Sequence, residues 1–305
     1  KFLSVSTDAR SAAVADAMTA QADGNSVAMF YNPASMAFQT SAFHVAAGMT
    51  QWIADINYNA ASFSVAPGGG TMGVFGFSLV SADYGDLIGT VRSANADNGY
   101  VETGEFQPTA LSVGVGYARA LTDRFAVGGN VKYVSQDFGA FQVGSVGEDV
   151  AKVEEYAKSA LAFDFGVLYK TGFQSLNFAM SVRNFAQELK YVSENFELPL
   201  TFRIGVSMNL MDMTSMDRNL HSLVLAVDAE RPRDFAEQLR VGGEYTFMNM
   251  LALRAGYVFP TDEQGVNLGV GLRPRVSNLD FGFDYAYTSF GIFDAVHRLS
   301  FQFGF

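Results

Sequence analysis

The 305-residue chain has no cysteine, which excludes disulfides, thiolate metal sites, cysteine nucleophiles and a lipidated N-terminal cysteine. Charge is sparse, with 17% Asp, Glu, Lys and Arg against roughly 25% in ordinary soluble domains. It also leans negative: 31 acidic and 20 basic residues leave a formal net charge of −11. The basic footprint that a nucleic-acid partner requires is therefore missing. No apolar run reaches the roughly 18 residues of a membrane-spanning helix. The three histidines, His44, His221 and His297, are scattered and lack metal-ligand spacing. Gly114-Val115-Gly116 superficially looks like a nucleotide-binding loop, but it lies mid-strand and opens no helix. Its glycines are better read as room for a neighbouring strand or segment. No Ser-His-Asp arrangement or carboxylate pair can be identified. These absences predict a protein that is not an enzyme and carries neither cofactor nor metal.

Apolar and aromatic residues are plentiful. Hydrophobic residues make up 49% of the chain, with 28 Phe, 13 Tyr and 30 Gly, but a single Trp. From about residue 42 onward they recur with period two, which puts alternate side chains on opposite faces of a strand. Near the end, Leu299, Phe301, Phe303 and Phe305 share one face, and Arg298, Ser300, Gln302 and Gly304 the other. In segment after segment, one face carries no charge and the other carries all of it. That pattern fits lipid outside and a polar lumen inside, and it favours a membrane barrel over a large soluble β-sandwich.

The sequence thus predicts an all-β fold, an outer-membrane β-barrel of about fourteen antiparallel strands over 42–305, with residues 1–41 as an N-terminal plug. The strands are expected at 42–51, 56–66, 71–80, 107–119, 124–135, 160–170, 175–184, 199–210, 221–230, 238–247, 250–259, 265–273, 277–289 and 295–305. A phase slip between Tyr58 and Phe63 predicts a bulge in the second. Long connections (81–106, 136–159, 185–198) follow odd strands. Tight turns (Pro67–Gly70, Leu121–Arg124, Thr171–Phe173, Met248–Asn249) follow even ones. Short periplasmic turns and long outer loops are the expected asymmetry; Met211–Leu220 is the exception. Location in a bacterial outer membrane follows, with lipid and lipopolysaccharide as surroundings, Phe305 as the aromatic end of the last strand, and a secretion signal already removed ahead of Lys1.

Candidate site residues fall into three groups. The inward face is expected to hold Lys132, Asp164, Arg183, Arg203, Asp228, Glu230, Arg240, Glu244, Arg254, Asp280, Asp284 and Arg298, mixed in sign. Buried charges must be paired, so these are read as structural ties rather than a polar permeation path. Arg240 with Asp228 and Glu244 with Arg254 are the expected pairs, and Arg10 and Asp16 the expected partners from the N-terminal segment. That segment reads as a helix over Thr7–Ala22 capped by Asp8, then a turn at Asp23-Gly24-Asn25. Pro33 next forces Asn32 out of the helical region. Val14, Met18, Val27, Met29, Phe30 and Met36 are candidates to line an apolar lumenal pocket. The outer loops are acidic (Asp83, Asp86, Asp97, Glu102 and Glu105; Asp137, Glu148, Asp149, Glu154 and Glu155), with a short helix expected near 150–158. Tyr84, Tyr100, Phe106, Phe138 and Phe141 punctuate these loops and are the candidate protein-contact residues.

The N-terminal stretches Lys1-Phe2-Leu3-Ser4, Asp8-Ala9-Arg10-Ser11-Ala12-Ala13, Ala22-Asp23 and Tyr31-Asn32-Pro33-Ala34-Ser35-Met36-Ala37, with Trp52-Ile53-Ala54-Asp55-Ile56 after them, resemble the opening of the PorV/PorQ family. That family is in turn similar to the FadL transporters, fourteen-stranded barrels with an N-terminal hatch and an Asn-Pro-Ala motif, here Asn32-Pro33-Ala34. Where the family usually has a glycine pair in its first helix, this chain reads Val14-Ala15-Asp16-Ala17. The resemblance implies a partner or shuttle subunit in type IX secretion that binds protein partners. FadL-like passage of hydrophobic small molecules, or a structural barrel anchoring a surface assembly, are the alternatives.

Overall fold

The computed structural model describes residues 2–93, 95–143, 152–187, 189–191 and 194–305. Fourteen strands form one closed antiparallel barrel: β1 Phe43–Gln51, β2 Asn57–Val65, β3 Val74–Asp83, β4 Thr109–Ala120, β5 Phe125–Val143, β6 Lys152–Lys170, β7 Asn177–Ala186, β8 Thr201–Asn209, β9 His221–Pro232, β10 Gln238–Phe247, β11 Leu251–Phe259, β12 Asn267–Leu272, β13 Leu279–Phe290 and β14 Phe293–Gly304. Each pairs with its neighbours in sequence, and β1 closes on β14 from His44↔Gly304 to Gln51↔His297. Closure leaves no free strand edge in the wall.

The two-residue period decides what faces where. On β8, Thr201, Arg203, Gly205 and Ser207 are buried, while Phe202, Ile204 and Val206 are exposed. On β13, Asp284 and Ala286 point in, while Phe283, Tyr285 and Tyr287 point out. An apolar belt of this extent around a closed barrel is stable only against hydrocarbon. The chain is therefore an outer-membrane barrel, crossing the bilayer with strands.

Several local expectations change. β2 pairs with β1 in unbroken register, so the bulge is absent; Tyr58 points into the lumen and is 8% exposed, whereas Phe63 points out. An inward aromatic, not a register slip, disturbs the pattern. Register shifts lie instead where β5 meets β6, where β13 meets β14 and where β6 meets β7. There Asn184 adopts a left-handed φ of 60° and its N–H donates to Asp164 at 2.7 Å. Residues 152–158 belong to β6 rather than a helix; residues 150 and 151 lie outside the described residues. The 81–106 connection carries a separate hairpin, Leu87–Arg92 paired with Tyr100–Phe106.

Candidate functional site: the lumen and its N-terminal segment

Residues 2–41 run through the interior of the barrel. Asp8 caps helix α1 (Ala9–Ala13), its Oδ1 accepting from the Ser11 N–H at 3.1 Å. The expected helix to Ala22 stops early because Ala15 and Asp16 turn left-handed, at φ 55° and 57°. Packing imposes this turn. A Cβ on Gly242 of β10 would stand 2.3 Å from the Val14 carbonyl oxygen, and one on Gly256 of β11 would stand 2.5 Å from the Ala15 nitrogen. The glycines that allow close approach sit in the wall, opposite Val14 and Ala15. Further on, 3-10 turns cover Ser26–Phe30 and Pro33–Phe38. Asn32 is extended, as a residue before proline must be, and its Oδ1 accepts from the Ala34 N–H at 3.1 Å. Its Nδ2 donates to the Thr19 carbonyl at 2.8 Å and to Val167 of β6 at 3.1 Å.

The segment touches all fourteen strands. Ser26 bonds His44 of β1 and Ser62 of β2. Met29 packs on Gly76 of β3 and Gly116 of β4, and Ala34 on Gly128 of β5. The β6 contact is Val167, and Arg183 of β7 donates to the Leu3 carbonyl at 3.3 Å. Arg203 and Ser207 of β8 donate to the Asp16 and Ala20 carbonyls at 2.9 and 2.8 Å. Asp228 of β9 accepts from the Thr19 N–H at 3.0 Å, and Arg10 pairs with Glu244 of β10 at 2.8 Å. Ala15 lies on β11, Ala13 on β12, and the α1 alanines pack on Ala286 of β13. Ser300 of β14 accepts from the Ala9 N–H at 3.2 Å.

The inward charges form three groups. In the first, Arg10 bridges Asp23 and Glu244, Glu244 also pairs with Arg254, and Arg254 reaches Asp284 at 2.8 Å. Burial works against the Arg10 charge, but the Asp23 and Glu244 carboxylates more than offset it and hold its pKa well above the ordinary value. In the second, Glu230 takes both Arg203, at 3.1 Å, and Arg240, and Arg240 lies 3.6 Å from Asp16. In the third, Lys132 pairs with Asp164 at 2.8 Å and donates to Asn184. Glu244 with Arg254 is the expected pair. Arg240 with Asp228 is not made, although the two stand opposite in register, because Asp228 accepts from Thr19 instead. Asp280 is exposed and pairs with Arg275 at the rim. Arg183 and Arg298 have no carboxylate partner among the described residues. Arg298 donates to Thr288 at 2.8 Å and lies over the Trp52 ring, and Arg183 lies over the Tyr31 ring. Sequence reasoning missed Arg273, which reaches Asp284 at 3.3 Å from just beyond the end of β12.

The other unforeseen feature is an apolar compartment in the outer half of the lumen. Tyr58, Ala60, Val80, Ala82, Ala110, Val134, Ala162 and Leu198 line it, and Phe2 and Leu3 fill it. Only about 30 Å³ stays open beside Phe2, Leu3, Met29 and Phe30, with Lys132 and Arg183 at its border. Of the other candidate pocket residues, Val14, Met18 and Val27 form a separate cluster with Tyr31. A concavity of about 860 Å³ is not lumenal: exposed Met49, Phe283, Leu299 and Phe301 place it on the lipid-facing wall. Among the loop candidates, Tyr100 is exposed, whereas Tyr84, Phe106 and Phe138 are half-buried. The Phe141 side chain lies outside the described residues.

No family model matches the chain, and no curated protein matches it. Solved structures do. The toluene transporter TodX of Pseudomonas putida superposes with a TM-score of 0.57 at 12% identity, covering 90% of this chain and 92% of that one. The fold is that of the FadL-like outer-membrane barrels. A Pseudomonas aeruginosa FadL homologue superposes with a TM-score of 0.54 at 13% identity, covering 97% of both chains. FadL-like architecture here accommodates an N-terminal segment in contact with every strand.

Proposed function

We propose that this barrel passes hydrophobic small molecules across the outer membrane and that residues 1–41 act as its plug. The apolar compartment carries the reading: the outer half of the lumen holds a greasy chamber, and the chain's own Phe2 and Leu3 occupy it. Buried apolar surface of this kind favours a hydrophobic occupant. A molecule that displaced Phe2 and Leu3 would meet Arg183, whose present acceptor is the Leu3 carbonyl. An acidic end group suits that position. The FadL-like fold supports the same reading. In the test, purified protein in detergent is incubated with toluene or dodecanoate, and the bound molecule is counted by native mass spectrometry. Phe2→Ala/Leu3→Ala should bind more tightly than the unaltered chain, since it lacks the built-in occupant. If neither protein binds either molecule, the reading fails.

A second reading, a PorV/PorQ-like subunit of type IX secretion that binds protein partners, draws on the outer hairpin, where Ile88, Tyr100 and Val101 are all more than 40% exposed. A translocon subunit or secreted protein retained at near-stoichiometric amount after mild detergent extraction would favour it.

A further inference from the structure

The one long connection on the periplasmic side has an unusual composition. Five of the twelve methionines fall on two loops, Met211, Met213 and Met216 between β8 and β9, and Met248 and Met250 in the β10–β11 turn. Both loops contain a Met-x-Met spacing, Met211-Asp212-Met213 and Met248-Asn249-Met250. The loops are adjacent: the Met248 N–H donates to the Leu220 carbonyl at 2.8 Å, and His221 stands opposite Phe247 in register.

The longer loop is held in shape. Leu210–Met213 form a 3-10 turn, Thr214 donates to the Met211 carbonyl at 3.0 Å, and Arg218 pairs with Asp212 at 3.3 Å. On this ordered base four thioethers face outward: Met213 is 68% exposed, Met216 47%, Met248 55% and Met250 54%. Three other turns on this side show a single exposed large hydrophobic each, of mixed type (Met72, Leu121 and Phe173), as lipid-interface anchoring requires. Anchoring needs apolar area and has no use for sulfur. On these two loops four of the five exposed large hydrophobics are methionine, with Leu220 the other. Thioether sulfur is a soft ligand, suited to Cu(I) rather than to Zn(II), Ca(II) or Mg(II). A polarizable, unbranched side chain can also swing its sulfur onto a shared ion.

We infer that the paired methionine loops form a binding site for one soft monovalent cation, Cu(I), on the periplasmic face. The site is independent of the lumen and of the reading above. To test it, the full chain in detergent competes for Cu(I) with bicinchoninate under reducing, anaerobic conditions. The comparison protein is Met213→Leu/Met216→Leu/Met248→Leu/Met250→Leu, which keeps apolar area and removes sulfur. The unaltered chain should take one equivalent of Cu(I), and the variant should lose affinity by roughly tenfold or more. Zn(II) should not compete with that binding. Met213→Leu/Met216→Leu, confined to the loop outside the barrel, should lose part of the affinity and serves if the fourfold variant does not fold. Failure of the unaltered chain to withdraw Cu(I) from bicinchoninate overturns the inference. So does equal affinity in the Leu variant, which would leave the patch as an apolar surface only.

Discussion

The lumen grips its N-terminal segment in two different ways. Along β8–β13 the wall is ionic: Arg203, Glu230, Arg240, Glu244, Arg254 and Asp284 meet Asp16, Arg10 and the carbonyls between them. Along β3–β6 the grip is steric, with Met29, Met36, Ala34 and Asn32 pressed onto Gly76, Gly116, Gly128 and Gly166. A close-packed contact gives way only by moving atoms, whereas an ion pair weakens when its partner charge is removed. On the ionic side Gly242 and Gly256 also press on Val14 and Ala15, so charge and shape act together there, whereas β3–β6 hold the segment chiefly by shape.

The largest effect should follow from filling the steric side. A Cβ on Gly128 would stand 2.5 Å from the Ala34 nitrogen and the Pro33 carbonyl carbon, both backbone atoms. Gly128→Leu should displace the segment and open the lumen, read as single-channel conductance in planar bilayers. Gly243→Leu, where a Cβ meets nothing within 4 Å, is the control and should stay closed. Equal conductance in the two variants would show that the segment does not seal the barrel. On the ionic side, Glu230→Leu leaves Arg203 and Arg240 without their shared carboxylate. The expected loss is about 3–5 kcal/mol, seen as a lower midpoint of thermal unfolding in detergent. A loss below about 1 kcal/mol would mean that water or Asp16 takes over, and that the ionic side is weaker than its geometry implies.

The same division explains what could be read from the sequence. All fourteen strands were legible because lipid outside and polar lumen inside write a two-residue period into each. The path of residues 2–41 was not, since a chain that follows the wall through 3-10 turns and left-handed Ala15 and Asp16 has no period to detect. Of the ion pairs, Glu244 with Arg254 was legible because the two face each other across neighbouring strands. Arg240 was misassigned by the same rule, because Thr19 of the segment claims Asp228 and Arg240 reaches diagonally to Glu230. Phe2 and Leu3 look unremarkable in sequence. Their place depends on five strands, β2–β6, and Leu198 coming together around one chamber.

Two smaller effects sharpen the comparison. Asn32 is fully buried and is the polar exception on the steric side, tying Thr19 and Val167 together. Asn32→Ala removes its bonds to those carbonyls and to the Ala34 N–H, at an expected cost of about 1–3 kcal/mol in the same unfolding measurement. No measurable loss would make the steric side a matter of shape alone.

The smallest effect belongs to the outer surface. Tyr100 is 45% exposed on a hairpin outside the barrel wall, so Tyr100→Ala should change stability by no more than about 0.5 kcal/mol. Its value lies in separating the two functional readings. Uptake of a hydrophobic molecule through the lumen has no need of this ring, so binding of toluene or dodecanoate should be unchanged. A protein partner docked on the outer hairpin would lose an aromatic contact of the kind that dominates interfaces. Co-purification that falls in Tyr100→Ala while ligand binding holds would assign the hairpin to a partner and the lumen to a ligand. Unchanged co-purification would remove the hairpin from the partner reading.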